Sequence, residues 1–290
     1  MKTNHSIAIT TLCDNSALRM DVDLLAEWGV SFLIEDDQNT ILFDTGYSYT
    51  CVHNALALGK NLSQIKKIVL SHGHSDHVGG LLPVLKSINY DVVNHKTQII
   101  DVIAHPDIWQ PKYVVIKGKT TWGGMLTTTE VLENFGASFK FSRKPVWITD
   151  NIVTTGEIDM QTDYEQINQD LVVKQNGEFI QDNLLDDQAL ILKTRKGLIV
   201  ILGCSHRGVI NTLLQAQKIT REKRIALVLG GTHLCSASTD RINKTIAALK
   251  QLEVQKIGVS HCTGLPIAAK FAHEFGERFF FNGAGNVFES

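Results

Sequence analysis

The chain has 290 residues, 43% hydrophobic and 20% charged, which excludes a disordered chain and is long enough for a core that needs no covalent staples. Lys plus Arg total 28 and Asp plus Glu 30, and the formal net charge of -2 gives no global pull toward nucleic acid or an anionic membrane. No stretch approaches the roughly 18 apolar residues of a membrane span, and MKTNHSIAITTL lacks the pattern of a secretion signal.

In chain order, residues 6–12 read as a strand rich in Ile and Thr. Residues 30–34 and 40–43 form a hairpin around Asp36-Asp37-Gln38-Asn39, and Asp44-Thr45-Gly46 leaves the sheet. A short helix over 53–58 stops at Gly59. A buried strand at 68–70 runs into Ser71-His72-Gly73-His74-Ser75-Asp76-His77, and 78–87 reads as a helix. Strand 101–104 ends at His105-Pro106. Within 107–186, strands are expected at 113–117, 138–141, 147–149 and 152–155, and 161–169 is polar enough for a mobile loop. The whole of 107–186 reads as an insertion on a single domain spanning 1–290, a candidate lid carrying Trp109, Trp122 and Trp147. A second hairpin, 189–193 and 198–202, ends in Gly203-Cys204-Ser205-His206. Then a strand-loop-helix rhythm follows: helix 209–220, strand 225–229, loop Gly230-Gly231-Thr232-His233, helix 239–252, strand 256–259 and loop Ser260-His261-Cys262-Thr263-Gly264. The order suggests an α/β protein with two facing sheets and helices outside.

The chemistry concentrates in His72-x-His74-x-Asp76-His77. Imidazole and carboxylate are ligands for zinc, iron or manganese. Residues i and i+2 after a strand point the same way, so His72 and His74 can grip one ion. Asp76 and His77, where the chain turns into a helix, can face a second. The alternative is a His-rich polar loop without metal. His206, His233 and His261 each follow an apolar strand, and strand exits on one sheet edge converge. Of these, His261 ranks first as a ligand, His206 second and His233 third. His5, His53, His95 and His273 have no ligand-like surroundings.

These residues carry a resemblance to the metallo-β-lactamase superfamily: Leu42-Phe43-Asp44-Thr45-Gly46, the HxHxDH segment with Gly79-Gly80, Gly203-Cys204 and Ser260-His261. Within it the chain is similar to the 7,8-dihydropterin-6-yl-methyl-4-(β-D-ribofuranosyl)aminobenzene 5'-phosphate synthase-like branch. That likeness rests on residues 25–34, Ala104-His105-Pro106, Asp186-Asp187-Gln188-Ala189-Leu190, Gly203-Cys204-Ser205-His206-Arg207-Gly208 and His261-Cys262-Thr263-Gly264. The resemblance implies a four-layer αββα sandwich with a metal site, usually dinuclear, and hydrolase-type chemistry in most members. Two departures stand out. The Gly-His-Ser/Thr loop before the second hairpin is replaced by Asp186-Asp187-Gln188, and the usual Gly-Asp pair by Gly203-Cys204. Here His206 is taken to replace the missing His, and Cys204 to stand where a bridging carboxylate would, as a soft ligand suited to zinc or simply as a small buried residue.

The expected metal ligands are therefore His72, His74, Asp76, His77, His206, His261 and Cys204, around one or two divalent ions, zinc first and manganese or iron as alternatives. Catalysis is expected at Asp76, His72 and His74: the ion yields hydroxide at neutral pH, and Asp76 orients the water and handles its proton. Asp44 is expected to fix the tautomer of a ligand His. His233, Arg207 and His105 are the candidate substrate-binding residues, Arg207 at a helix start suited to phosphate or carboxylate. The reading is a metal-dependent hydrolase-like enzyme for a small phosphorylated or otherwise anionic substrate, pterin-related or of another flat heterocycle, or a dihydropterin-linked synthase. The alternatives are a nuclease or phosphodiesterase of the same fold, which the balanced charge disfavours, and a metal-binding sensor without turnover. A di-iron flavoprotein would need a flavodoxin-like domain that this length lacks. The five scattered cysteines (Cys13, Cys51, Cys204, Cys235, Cys262) form no CxxC, which places the expected location in a reducing cytoplasm, with no membrane partner.

Overall fold

The computed structural model describes residues 7–89 and 97–290, so His5 and His95 lie outside the described residues. The chain divides into two compact units: 1–104 with 124–141 and 283–290, and 105–123 with 142–282.

The first unit is built on a seven-stranded mixed sheet in the order Val287–Glu289, Ala8–Cys13, Ser31–Glu35, Thr40–Phe43, Lys67–Val69, Ile100–Ala104, Ala137–Phe141. Pairing is antiparallel as far as Thr40–Phe43 and parallel beyond it. The parallel register matters for the site. Thr40–Phe43 and Lys67–Val69 end on one sheet edge, so Asp44 and Ser71-His72 emerge side by side. Helix Leu81–Ile88 buries Leu81, Val84, Leu85 and Ile88, the spacing of one helical face. The single helix expected over 78–87 is two, Ser75–Val78 and Leu81–Ile88. Between them, a Cβ on Gly79 or Gly80 would lie 2.1 Å from the carbonyl oxygen of Tyr47 or Thr45. Only glycine lets this turn close on the 44–48 loop, where the Thr45 N–H and hydroxyl both donate to the His77 carbonyl at 2.8 and 2.9 Å.

The second unit holds another seven-stranded mixed sheet, ordered Phe279–Phe281, Ile257–Ser260, Ile225–Gly231, Gly197–Leu202, Leu190–Thr194, Ile152–Thr154, Trp147–Thr149. The first four strands are parallel, so the loops at 203–206, 232–233 and 261–264 all leave the same edge. Val200, Leu202, Val228 and Val259 of the sheet share a core with Leu213, Ile246 and Phe271 of the covering helices. Each such side chain contributes roughly 1.5–3 kcal/mol by burial. A four-stranded antiparallel sheet, Glu178–Gln181, Leu171–Gln175, Lys112–Ile116, Lys119–Trp122, belongs to the same unit.

The segment read as an insertion is thus distributed. Ala137–Phe141 completes the first sheet, Trp147–Thr149 and Ile152–Thr154 complete the second, and the rest makes the four-stranded sheet. The loop expected to be mobile is tied down within its unit: the N–H groups of Gln161 and Thr162 both donate to Asn211 Oδ1 at 2.9 Å, and Glu165 is buried. Among the described residues no helix is long and apolar enough to cross a membrane.

Candidate metal centre

In the first unit, Asp44 takes a left-handed backbone conformation (φ 56°) directly after its strand and is fully buried. Its Oδ1 accepts the Ser71 N–H at 2.7 Å, and its Oδ2 accepts the Ser71 hydroxyl and His77 Nδ1–H, each at 2.7 Å. An ionised carboxylate only accepts, so His77 carries its proton on Nδ1. The Ser71 proton is spent on Asp44, so the 2.8 Å contact between Ser71 Oγ and His72 Nδ1 is donated by His72. Both rings are then the Nδ1–H tautomer with a lone pair on Nε2, the form that binds a metal. One carboxylate sets two imidazoles, one directly and one through a serine.

The three imidazoles are buried and crowd together. The His72 centroid lies 4.1 Å from His77 and 4.6 Å from His74, and His72 Nε2 is 3.0 Å from His74 Nδ1. Asp76 Oδ2 lies 3.8 Å from His77 Nε2, with the carboxylate side chain 17% exposed. Three buried imidazoles with a partly exposed carboxylate close to one of them, two of the rings fixed in tautomer through Asp44, form a donor set that a divalent cation fits.

In the second unit the strand exits carry Cys204, Ser205, His206, His233, His261 and Cys262. Ser205, His233 and His261 have positive φ of 55°, 48° and 51°. Such conformations cost of order 1–3 kcal/mol each in a non-glycine residue and persist where surrounding contacts enforce them. The enforcing contacts are present. Ser205 Oγ donates to the Gly231 carbonyl at 3.0 Å, the Thr232 N–H donates to Thr263 Oγ1 at 3.2 Å, and the His233 N–H donates to Cys262 Sγ at 3.2 Å. The His206 and His233 rings lie 4.2 Å apart. One ligand atom each from Cys204, His233 and Cys262 falls within 4.8 Å of the others, a second donor set suited to a soft cation. Burial opposes ionisation of Cys262, but its contact with Cys204 and the nearby His261 and His233 outweigh that and pull the thiol well below its ordinary range.

Two candidate substrate-binding residues have their polar groups engaged. Arg207 donates from Nε to the Ile158 carbonyl at 2.7 Å and from Nη1 to the Asn183 carbonyl at 2.6 Å. The helix start beside it, on Val209–Thr220, holds a protein anion: Glu165 accepts the Ile210 and Asn211 N–H groups, each at 2.9 Å. His105 accepts the Asp107 N–H on Nδ1 at 3.1 Å, which leaves its proton on Nε2 to donate to Glu157 at 3.0 Å. His53 Nε2 donates to the Asp23 carbonyl at 2.9 Å, and the His273 side chain is 87% exposed.

Two residues with functional chemistry escape a reading of the sequence. Cys262 is visible only as the neighbour of His261. Asp187 is fully buried, and burial pushes its carboxyl up to about 7 although it accepts the Arg207 N–H at 2.8 Å. The adjacent Asp186 is paired with Lys112 at 3.0 Å, and Lys112 with Asp182 at 2.7 Å, all inside the protein. The visible signal was a pair of acids directly before an apolar strand.

Comparison with known proteins places this arrangement. A profile of the metallo-beta-lactamase superfamily matches residues 29–165. The chain is 36% identical over 287 residues to the 7,8-dihydropterin-6-methyl-4-(beta-D-ribofuranosyl)-aminobenzene-5'-phosphate synthase of Methanocaldococcus jannaschii, covering 94% of this chain and 93% of that protein. Tm1679, described as a metal-dependent hydrolase of the beta-lactamase superfamily, superposes with a TM-score of 0.81 at 32% identity, covering 98% of this chain and 99% of that one. The metallo-beta-lactamase fold protein YhfI of Bacillus subtilis shares the fold, with a TM-score of 0.60 at 12% identity over 99% of this chain and 100% of that one. The chain belongs to the metallo-β-lactamase superfamily. It has that fold, with two mixed sheets flanked by helices, and is a metal-dependent enzyme of this class.

Proposed function

We propose that the protein processes a small phosphorylated organic substrate of the dihydropterin and aminobenzene class, with zinc as the preferred ion. The observation that carries the metal dependence is the buried His72, His74 and His77 group with its tautomers set by Asp44. The substrate class is supported by the 36% identity to a synthase whose product name joins a dihydropterin methyl group to an aminobenzene bearing a ribofuranosyl 5'-phosphate. Within the first unit His72, His74, Asp76 and His77 are the candidate ligands of an ion, and within the second Cys204, His206 and His261 are the candidates for a further one.

A bound divalent ion supplies Lewis acidity at neutral pH. The chain's own groups do the rest. Asp44 and Ser71 hold the imidazoles in their ligating tautomer. Asp76, close to His77 yet partly open to solvent, is placed to accept a proton from the attacking group. His233 faces His206 and offers a hydrogen-bonding group to substrate. Cys204 and Cys262 act as ligands only as reduced thiols, which fits a cytoplasmic location. No specific observation favours the nuclease reading.

The test is metal analysis of the purified protein and of His72→Ala and His74→Ala, followed by incubation of the loaded protein with an aminobenzene ribofuranosyl 5'-phosphate and a dihydropterin whose methyl carbon carries a phosphate-ester leaving group. Coupling with release of that leaving group identifies a synthase, and release of phosphate or a cleaved fragment without coupling identifies a hydrolase. Unchanged metal content in both variants overturns the metal assignment. No conversion of either compound by the loaded protein overturns the substrate assignment.

A further inference from the structure

The second unit contains a cavity of about 300 Å³, within the size range of small-ligand sites, of which only His233 has been given a part in the chemistry above. Its walls come from Tyr164, Gln166 and Asn168 on one loop and from His233, Ser238 and Arg241 on and before the helix Thr239–Gln251. Arg241 is the charged feature. Its Nη1 donates to the Gln166 carbonyl at 2.6 Å, its buried Nε has no hydrogen-bond partner, and no ion pair to a carboxylate is found among the described residues. Burial outweighs the more distant pull of Glu165 and Tyr164 and lowers the affinity of this guanidinium for its proton. A half-buried arginine whose buried Nε–H has no protein partner, lining a cavity, is chemically suited to an anion. Asp170, the carboxylate among the lining residues, is exposed.

The cavity is coupled to the metal-type cluster through one residue. His233 lines it, while the same side chain has its ring 4.2 Å from that of His206, tilted by 53°, and a ligand atom within 4.8 Å of the Cys204 and Cys262 sulfurs. A ligand seated against Arg241 therefore has its far end beside the donor set. We propose that this cavity binds the phosphomonoester of the substrate, with the Arg241 guanidinium as counter-ion and His233 marking the side that faces the chemistry. This rests on the reading above that the substrate is a small phosphorylated molecule. It moves the expected anion contact from Arg207, which is bound to main-chain carbonyls, to Arg241.

The test uses the metal-loaded full chain and calorimetric titration with ribose 5-phosphate, with ribose as the uncharged control. Ribose 5-phosphate is expected to bind and ribose to bind at least tenfold more weakly. Arg241→Gln should weaken ribose 5-phosphate binding at least tenfold while metal content and melting temperature stay at wild-type values, and Arg241→Lys should recover part of it. Ser236→Trp, at an exposed position on the cavity wall, should block binding without touching the arginine. Phosphate captured by the metal ions alone would bind equally well in Arg241→Gln and Ser236→Trp, and that result overturns the proposal. So does wild-type protein that fails to distinguish ribose 5-phosphate from ribose. If Arg241-dependent binding is found but no dihydropterin substrate is converted, the substrate reading fails and the phosphate site stands. Conversion that is indifferent to Arg241 shows the reverse.

Discussion

At the scale of single residues, Asp44 has the widest reach. Three hydrogen bonds converge on one carboxylate, and two imidazole tautomers follow from them. Asn at this position has one acceptor and one amide donor. With its oxygen kept on the Ser71 N–H, its NH₂ stands at Oδ2 and faces both the Ser71 hydroxyl and His77 Nδ1–H, which both lose their acceptor. His77 then gains by moving its proton to Nε2, which removes the lone pair a cation needs. Asp44→Asn should therefore weaken metal binding about 10–100-fold with little change in fold. A competition titration with a chromogenic chelator measures it, and wild-type affinity in the variant would remove Asp44 from this role.

Asp187 makes a prediction of a different kind. Its carboxyl titrates near 7 in the folded protein, against 3.8 for an ordinary aspartate, because burial outweighs the Arg207 N–H and Asp186 adds repulsion. Between those values the native state holds a proton that the unfolded chain has lost. Stability must then fall as pH rises from about 4 to about 7, and level off above. Asp187→Asn, which cannot ionise, should flatten this part of the profile. Urea unfolding at fixed metal concentration from pH 4 to 8 reads the slope, and equal slopes in the two proteins would contradict the assignment.

At the scale of elements, the parallel strands do the gathering. Strand exits that share an edge place Asp44 beside Ser71-His72 in one unit and the 203–206, 232–233 and 261–264 loops together in the other. This much was legible in the sequence, because HxHxDH is compact along the chain and each later histidine follows an obvious apolar run. What was not legible depends on partners remote in sequence. Glu165 sat in a stretch polar enough to read as mobile, yet it lies across the N-terminus of the Val209–Thr220 helix and accepts two of its orphan N–H groups. Its burial raises the carboxyl, and the two N–H groups only partly restore it. Gly208 has φ 100°, and a Cβ there would come within 2.3 Å of the same carboxylate, so both backbone and space call for glycine. Lys112 and Arg241 look like surface cations in the sequence for the same reason: Asp182 and Asp186, or Gln166, lie about 70 residues away in the chain. Glu165→Ala should cost about 1–2 kcal/mol, the loss of a helix cap, and Glu165→Gln less, since it keeps an acceptor. Denaturant unfolding of the three proteins orders them, and an alanine variant as stable as wild type would mean the carboxylate caps nothing of consequence.

At the scale of the whole molecule, metal and folding are linked. The His72, His74 and His77 group is ordered only in the folded chain, since Asp44 lies 27 residues before Ser71 and 33 before His77, and the unfolded polymer holds no such tautomers in register. An ion bound only by the native state adds RT ln(1 + [M]/Kd) to its stability, about 4 kcal/mol when free metal is about 1,000-fold above Kd. Removing metal with a chelator should therefore lower the melting temperature by several degrees, and restoring zinc should recover it in proportion to the logarithm of its concentration. His72→Ala supplies the control. With a ligand gone, its melting temperature should match that of metal-free wild type and respond weakly to added zinc. If chelation left the wild type unmoved, the ion would contribute nothing to the native state, and the crowding of these imidazoles would have to be sustained by hydrogen bonds alone. If His72→Ala kept the full zinc response, the stabilising ion would be seated on other residues, with the Cys204, His233 and Cys262 set as the first place to look.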